Sequence, residues 1–341
     1  ARATKPARAT KPTRVTMPTQ APPPAPAPLR DSTAPALATE RIAEPWPDYA
    51  CVDSGAGWRL ERFGAYLIRR PAAGAVWTPK VPLDRWPRAD ASYIRTTGGD
   101  GRWELGRGLP QSWIVGRGAT RFLVKPTASG QVGLFPEQAP NWSWIEAEAR
   151  AFAATGRPMR VLNLFAYTGG TTLAAAAGGA EVCHLDAVKG IVTWARENAG
   201  LSGLGDAPVR WIADDAVTFA SRELRRGQRY DAIALDPPSF GRGRDGQVFK
   251  LEEHLDGLIS TCIDLLSDDA RFLLVTCHTP GISARGLANL LGQLVRRRGG
   301  HLTCGESTIA AAEGAPALPA GVWTRWEAAT ASPAEAAPRP R

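Results

Sequence analysis

From about residue 147 to residue 327 the chain alternates short apolar runs with stretches of helical periodicity, the order that builds a doubly wound parallel sheet with helices on both faces. Strands are expected at 161–164, 181–185, 209–213, 232–235 and 272–276, with a late pair near 301–304 and 322–326. Helices are expected between them at 171–177, 191–199, 216–225, 251–266 and 284–297. An α/β, Rossmann-like, seven-stranded sheet of this kind binds ligands at the carboxyl ends of its strands, so the residues there carry the functional argument.

The first strand runs through Asn163 into Phe165, Ala166, Tyr167, Thr168, Gly169 and Gly170, and then into a helix. Small residues there let the backbone approach a ligand at a helix N-terminus, which reads as a cofactor loop. A tight strand-to-helix turn is the plainer alternative. The G-x-G-x-x-G spacing of dinucleotide folds is absent, which weighs against a nicotinamide. The second strand ends at Asp186, where a carboxylate can accept both hydroxyls of a ribose. The third ends at Asp214, Asp215 and Ala216; Asp215 is the expected acceptor for an adenine amino group, with Asp214 as runner-up and a helix N-cap as the competing role.

The fourth strand delivers Asp236, Pro237, Pro238, Ser239 and Phe240 to the same edge. Two prolines fix the backbone and point carbonyls outward. Beside a carboxylate, that rigid acceptor array can hold a planar base edge or amino group, and the following aromatic can stack on the base. A structural turn would explain the prolines alone, but not their arrival beside three strand ends that already carry nucleoside-binding groups.

Four regions are expected: a basic, Pro/Ala-rich tail at 1–47 too poor in apolar residues to fold, a small β-rich domain at 48–125, the cofactor-binding domain at 126–327, and a second tail at 328–341. In the β-rich region strands are expected at 58–63, 65–69, 112–115 and 121–124. Six tryptophans, counting Trp46, interleave with arginines there; base stacking is one reading, and filling a small core is the preferred one. The net charge of +8 does not by itself argue for nucleic acid, because six basic residues and no acid fall in the first thirty positions, leaving +2 elsewhere. No run of about 18 apolar residues argues for a membrane span. Five scattered cysteines without a C-x-x-C pair fit a reducing cytoplasm, and the spacing of the four histidines argues against a metal site.

With Gly133, Leu134, Phe135, Pro136, Glu137 and Gln138 added, these segments resemble the class I methyltransferases that include the large-subunit ribosomal RNA cytosine-5 and guanine-N7 enzymes, over about residues 48–327. The resemblance implies S-adenosyl-L-methionine as cofactor and ribosomal RNA as partner. It implies that the loop carrying Phe135 and Gln138 caps the cofactor, with Gln138 at its methionine or adenosine end. The other expected cofactor contacts are Asn163, Phe165, Tyr167, Thr168, Gly169, Gly170, Asp186, Asp215 and Ala216. Asn163 stands where many class I enzymes carry an acid, so recognition of the cofactor's amino group would pass to backbone carbonyls.

Asp236, Pro237, Pro238 and Phe240 are the expected catalytic segment, joined by Cys277 at the end of the fifth strand. If Cys277 faces the cleft, its thiolate could add to C6 of a cytosine while Asp236 steadies the adduct; an inert core thiol is the competing role. Arg242, Arg244 and Lys250 could meet RNA phosphates or form a solvated loop, and Arg296 to Arg298 suit a helix C-terminus. The alternatives to an RNA methyltransferase are a methyltransferase acting on a small molecule or protein, and a non-catalytic RNA-binding module.

Overall fold

The structure, a computed structural model, describes residues 36–37, 41–96, 101–242, 248–312 and 314–329. Two short strands, β1 (Ala36–Leu37) and β2 (Arg41–Ala43), come first. A five-stranded sheet follows in sequence order: β3 (Tyr49–Gly55), β4 (Trp58–Phe63), β5 (Tyr66–Pro71), β6 (Ala91–Arg95) and β7 (Gly101–Leu105), antiparallel except for β5 with β6. Then β8 (Trp113–Arg117) and β9 (Thr120–Val124) form a hairpin.

The doubly wound part comprises α1 (Ala139–Ala153), β10 (Arg160–Leu164), α2 (Gly170–Ala177), β11 (Glu181–Asp186), α3 (Lys189–Leu201), β12 (Val209–Ala213), α4 (Ala216–Arg225) and β13 (Ala232–Leu235). A two-stranded insertion, β14 (Phe240–Arg242) with β15 (Val248–Lys250), precedes α5 (Leu251–Leu265), β16 (Phe272–Cys277), α6 (Ala284–Val295), β17 (His301–Ile309) and β18 (Leu318–Glu327). The sheet runs β1-β17-β18-β16-β13-β10-β11-β12, with β2 also on β17 and only β18 antiparallel to its neighbours. Its order reverses between β10 and β13, whose ends are in register as Leu164 beside Leu235. Loops leaving those two strands in opposite lateral directions open a crevice there, which fixes the site before any side chain is considered.

Buried β-branched and leucine side chains make the central strands, and capped amphipathic helices cover them. Asp215 caps α4 by accepting from Thr218 N at 2.8 Å, and the Ser283 hydroxyl caps α6 by accepting from Gly286 N at 3.0 Å. One core cluster joins Tyr49, Phe63, Trp113 and Phe122 of the β-rich region to Leu134, Trp142 and Leu173 of the doubly wound part. The two regions therefore share a core. Four of the six tryptophans, Trp46, Trp77, Trp103 and Trp113, pack in this cluster and none of the six is exposed; Trp77, Trp86, Trp103 and Trp113 each donate the indole N–H to a neighbouring backbone carbonyl or to Asp53.

The main expected strands and helices are present within a few residues. The expectation of an unfolded segment to residue 47 fails at its end: β2 pairs with β17, and Arg41 lies 3.6 Å over the Trp323 ring while bonding Asn141. Composition averages miss such an addition, because backbone pairing with an open edge needs no apolar run. The rest of that tail (1–35, 38–40) and positions 330–341 lie outside the described residues.

Candidate active site

The loop after β10 is held in an unusual backbone conformation. Phe165 and Tyr167 have φ of 54° and 48°, and Gly169 has 96°. Left-handed non-glycine residues cost on the order of 1–3 kcal/mol each and persist where the surroundings over-determine them. Here the surroundings are backbone donors and acceptors: Ala166 N donates to Leu185 O and Tyr167 N to Asp186 Oδ2, both at 3.0 Å. The same twist sends the Phe165 and Tyr167 side chains into the crevice. Thr168 ties the loop to the preceding segment by donating to Gly133 O at 2.7 Å. Gly170 is required sterically, since a Cβ there would lie 2.5 Å from the Trp142 ring.

Asp186 uses its other oxygen to accept from Val188 N at 3.0 Å. Burial pushes its carboxyl up, partly countered by these backbone N–H groups. The result is a carboxylate aimed into a cleft of about 680 Å³, large enough for a nucleoside cofactor together with an acceptor group. Asp186, Val188, Asp215 and Ala216 line one end of it, and Asp236, Pro237, Pro238 and His278 line the other. A smaller recess of about 50 Å³ opens beneath, between Asn163, Gln138, Trp142, Gly170 and Thr276, and shares Phe135, Phe165, Tyr167 and Asp236 with the cleft.

At the far end Asp236 meets an imidazole. His278 Nε2 is 3.3 Å from Asp236 Oδ2, and its Nδ1 is 3.8 Å from Glu137 Oε1. Burial alone would lower the His278 pKa, but the Asp236 and Glu137 carboxylates and the Ala320 carbonyl reverse that and hold it up at about 9. Burial likewise opposes the Asp236 charge, and the His278 cation outweighs it, so that carboxyl titrates below its usual range. Glu137 differs: burial dominates and pushes its carboxyl up. Phe135 stacks on the imidazole at 5.7 Å and 26°, and Gln138 Nε2 donates to Asp236 Oδ2 at 3.4 Å. Two buried carboxylate oxygens, Glu137 Oε2 and Asp236 Oδ1, have no hydrogen-bond partner among the described residues, so this end of the cleft is rich in acceptors.

The fold thus gathers Phe135, Gln138, Asn163, Phe165, Tyr167, Thr168, Gly170, Asp186, Asp215, Ala216, Asp236, Pro237 and Pro238 around one crevice. Gly169 stands behind it as the N-cap of α2, where an added Cβ would lie 3.2 Å from the Ala195 Cβ. Two expectations need correction. Cys277 does not face the cleft: it is 1% exposed in the core with Leu235 and Val275, and burial pushes its thiol up. Its strand neighbours Thr276 and His278 face the crevice instead. Phe240 does not line the cleft either. The ring is 52% exposed on β14, in register with Lys250, while Ser239 and Gly241 take the cleft side.

Glu137 and His278 were not read as functional from sequence, although Glu137 sits inside the quoted 133–138 motif and His278 follows Cys277. Lys250 is paired with Glu253 at 2.7 Å, and Arg298 donates to the carbonyls of Ile263, Leu266 and Ser267 at the end of α5. Arg244 lies outside the described residues. Among the described residues no helix is long and apolar enough to cross a membrane, and no group of three histidine, cysteine or acidic side chains could hold a metal ion.

A doubly wound sheet with a carboxylate after its second strand and an acceptor-lined pocket after its fourth has the layout of an enzyme that binds a nucleoside cofactor. The family model for S-adenosylmethionine-dependent methyltransferases matches residues 94–288, more than half of the chain, and the chain belongs to that family. A crystal structure of a SAM-dependent methyltransferase from Agrobacterium tumefaciens is 40% identical, covers 87% of this chain and 96% of its own, and superposes with a TM-score of 0.80. Ribosomal RNA large subunit methyltransferase I of Aeromonas hydrophila is 32% identical over 132 residues, 38% of this chain and 32% of that one. Ribosomal RNA large subunit methyltransferase K/L of Marinobacter nauticus is 33% identical over 141 residues, 40% of this chain and 18% of that one. The chain thus spans a third or less of the length of these curated relatives. S-adenosylmethionine is its cofactor, and the residues present fit it: a half-buried carboxylate, Asp186, of the kind a ribose needs, an apolar aromatic wall, and acceptor oxygens without protein donors.

Proposed function

We propose that this enzyme methylates a base of RNA, and specifically of large-subunit ribosomal RNA. The observation that carries this reading is the acceptor-rich end of the cleft, where rigid Pro237 and Pro238 flank a carboxylate with an unpartnered oxygen, in a chain similar to two ribosomal RNA methyltransferases. A planar base edge carrying N–H groups suits that chemistry.

In this reading Asp186 accepts the ribose hydroxyls of the cofactor, and Asp215 accepts from its adenine. Asn163, Gln138 and the 165–170 loop hold its methionine end. The bound cofactor supplies an electrophilic methyl group. Asp236, fixed by His278 and Gln138, and the carbonyls beside Pro237 and Pro238 orient the acceptor, so that the enzyme contributes chiefly positioning. Phe135, Phe165 and Tyr167 exclude water around the sulfonium position. Five free cysteines fit a cytoplasmic setting.

Mass spectrometry of nucleosides from total RNA, with and without the protein, tests this. Loss of one methylated nucleoside in its absence is expected. An unchanged RNA profile, with the purified enzyme still binding S-adenosylmethionine, would turn the reading toward a small-molecule or protein acceptor.

A further inference from the structure

In the sheet, Asn163 on β10 sits in register with His184 on β11, and His184 in register with Trp211 on β12. A histidine in the middle of a buried strand is costly without a purpose. His184 is 0% exposed, its Nε2 has no partner among the described residues, and Trp211 packs on it at 4.8 Å. Burial lowers its pKa to about 3, so it is a neutral imidazole in which one nitrogen carries the hydrogen and the other accepts.

The Thr172 hydroxyl links the two side chains. Its Oγ1 is 2.9 Å from His184 Nδ1 and 2.9 Å from Asn163 Nδ2. The amide nitrogen of Asn163 can only donate, so Thr172 accepts from it. The single hydroxyl hydrogen is then free to donate to His184 Nδ1, which requires the hydrogen of His184 to sit on Nε2. With Nδ2 committed to Thr172, the amide of Asn163 presents its carbonyl oxygen toward the recess that it lines with Gln138 and Asp236.

We propose that His184, acting through Thr172, is a positioning residue that fixes the Asn163 amide with its carbonyl toward the cofactor's methionine ammonium. An acidic residue would supply an acceptor in any rotamer; an amide does so in only one of two orientations, and the buried imidazole selects it. In this proposal the Asn163 amide takes the task that the sequence left to backbone carbonyls. The inference rests on the cofactor and not on the acceptor, so the RNA measurement above and the binding measurement below fail independently.

In His184→Leu the Thr172 hydroxyl loses its acceptor and turns to donate to Asn163 Oδ1, which flips the amide and aims an N–H at the ammonium. Calorimetry with two ligands separates this from general damage. S-adenosylmethionine should bind roughly tenfold or more weakly, the scale of one hydrogen bond to a charged group. 5′-Methylthioadenosine, which has no amino-acid end, should bind within about twofold of wild type by the same scale. His184→Gln, which restores an acceptor, should recover most of the affinity, and Thr172→Val should repeat the loss. Nitrogen-15 spectra of the wild type should show His184 as the Nε2–H tautomer. Equal weakening of both ligands, unchanged S-adenosylmethionine binding in His184→Leu, or an Nδ1–H tautomer would overturn the proposal.

Discussion

His278 Nε2 stands 3.3 Å from Asp236 Oδ2 and 3.3 Å from Gln138 Nε2, at the point where the loops after β13 and β16 meet. The imidazole holds its proton up to about 9, and in doing so keeps Asp236 ionised below the usual carboxylate range. Methyl transfer at saturating cofactor should therefore be level through neutral pH and fall as pH rises through about 9, when His278 loses its proton and Asp236 its partner. The pair's contribution to stability has the matching signs: the His278 part is full below its unfolded value and lost through about 9, and the Asp236 part is lost only as pH falls below the usual carboxylate range. His278→Asn should remove the alkaline limb and slow transfer by roughly tenfold to a hundredfold, as expected for losing a hydrogen bond to a charged group. A pH–rate profile of the two proteins checks both statements; an alkaline limb that survives in His278→Asn would assign it to another group.

Cys277→Ala should leave the methylation rate within about threefold, because the thiol is turned away from the cleft into the core. The cost should fall on stability instead, about 1 kcal/mol for the small void left behind Leu235 and Val275. Denaturant titration and a single-turnover assay measure the two effects separately. A loss of a thousandfold in rate at unchanged stability would restore Cys277 as a nucleophile.

The contrast between Cys277 and His278 shows where sequence carries information and where it does not. Strand ends were legible because each apolar run stops at a charged or turn-forming residue, which placed Asp186, Asp215 and Asp236 at one sheet edge. Phase along β16 was not legible: Phe272 to Cys277 are all buried, so no alternation marks which of Cys277 and His278 faces the crevice. Phe240 was misplaced for a related reason, since the pairing of β14 with β15 joins residues across an insertion whose register no local pattern announces. β3, β6 and β7 were not legible either, whereas the helical spacing of Trp142, Ile145, Ala149 and Phe152 does mark α1. The Asn163, Thr172 and His184 chain depends on two adjacent strands and a helix, a juxtaposition that only the fold supplies.

Glu61 should prove indispensable to folding. It is fully buried, bonds Arg70 at 2.6 Å and Tyr49 at 3.0 Å, and lies 3.3 Å from Arg59. Burial pushes its carboxyl up, and the two guanidiniums more than reverse this, so it stays ionised. Glu61→Ala strands the buried Arg70 guanidinium and removes the carboxylate partner of Arg59 at the cleft wall, and should destabilise by about 3–5 kcal/mol. Because Arg59 lines the cleft and Arg70 bonds Gln131 at 2.8 Å, cofactor affinity should fall along with the melting temperature. In the wild type this contribution is present above the usual glutamate pKa and is lost as pH falls through the lowered folded value, so acid unfolding should begin earlier in Tyr49→Phe, which lacks one of the bonds to the carboxylate. Circular dichroism against pH compares the two.

Asp215 has two candidate duties, and two substitutions separate them. As N-cap of α4 it accepts from Thr218 N, and it also lines the end of the cleft assigned to the adenine. Asp215→Ala removes both, and should cost about 1 kcal/mol of stability together with cofactor affinity. Asp215→Ser keeps a hydroxyl that caps the helix nearly as well but is shorter and uncharged, so it cannot reach an amino group in the cleft as a carboxylate does. If the carboxylate serves the cofactor, Asp215→Ser should restore the melting temperature to near wild type while S-adenosylmethionine still binds roughly tenfold more weakly. If capping is its whole role, both quantities should recover together, and adenine recognition would then rest on the backbone at Ala216 and on Val188 packed against the ring.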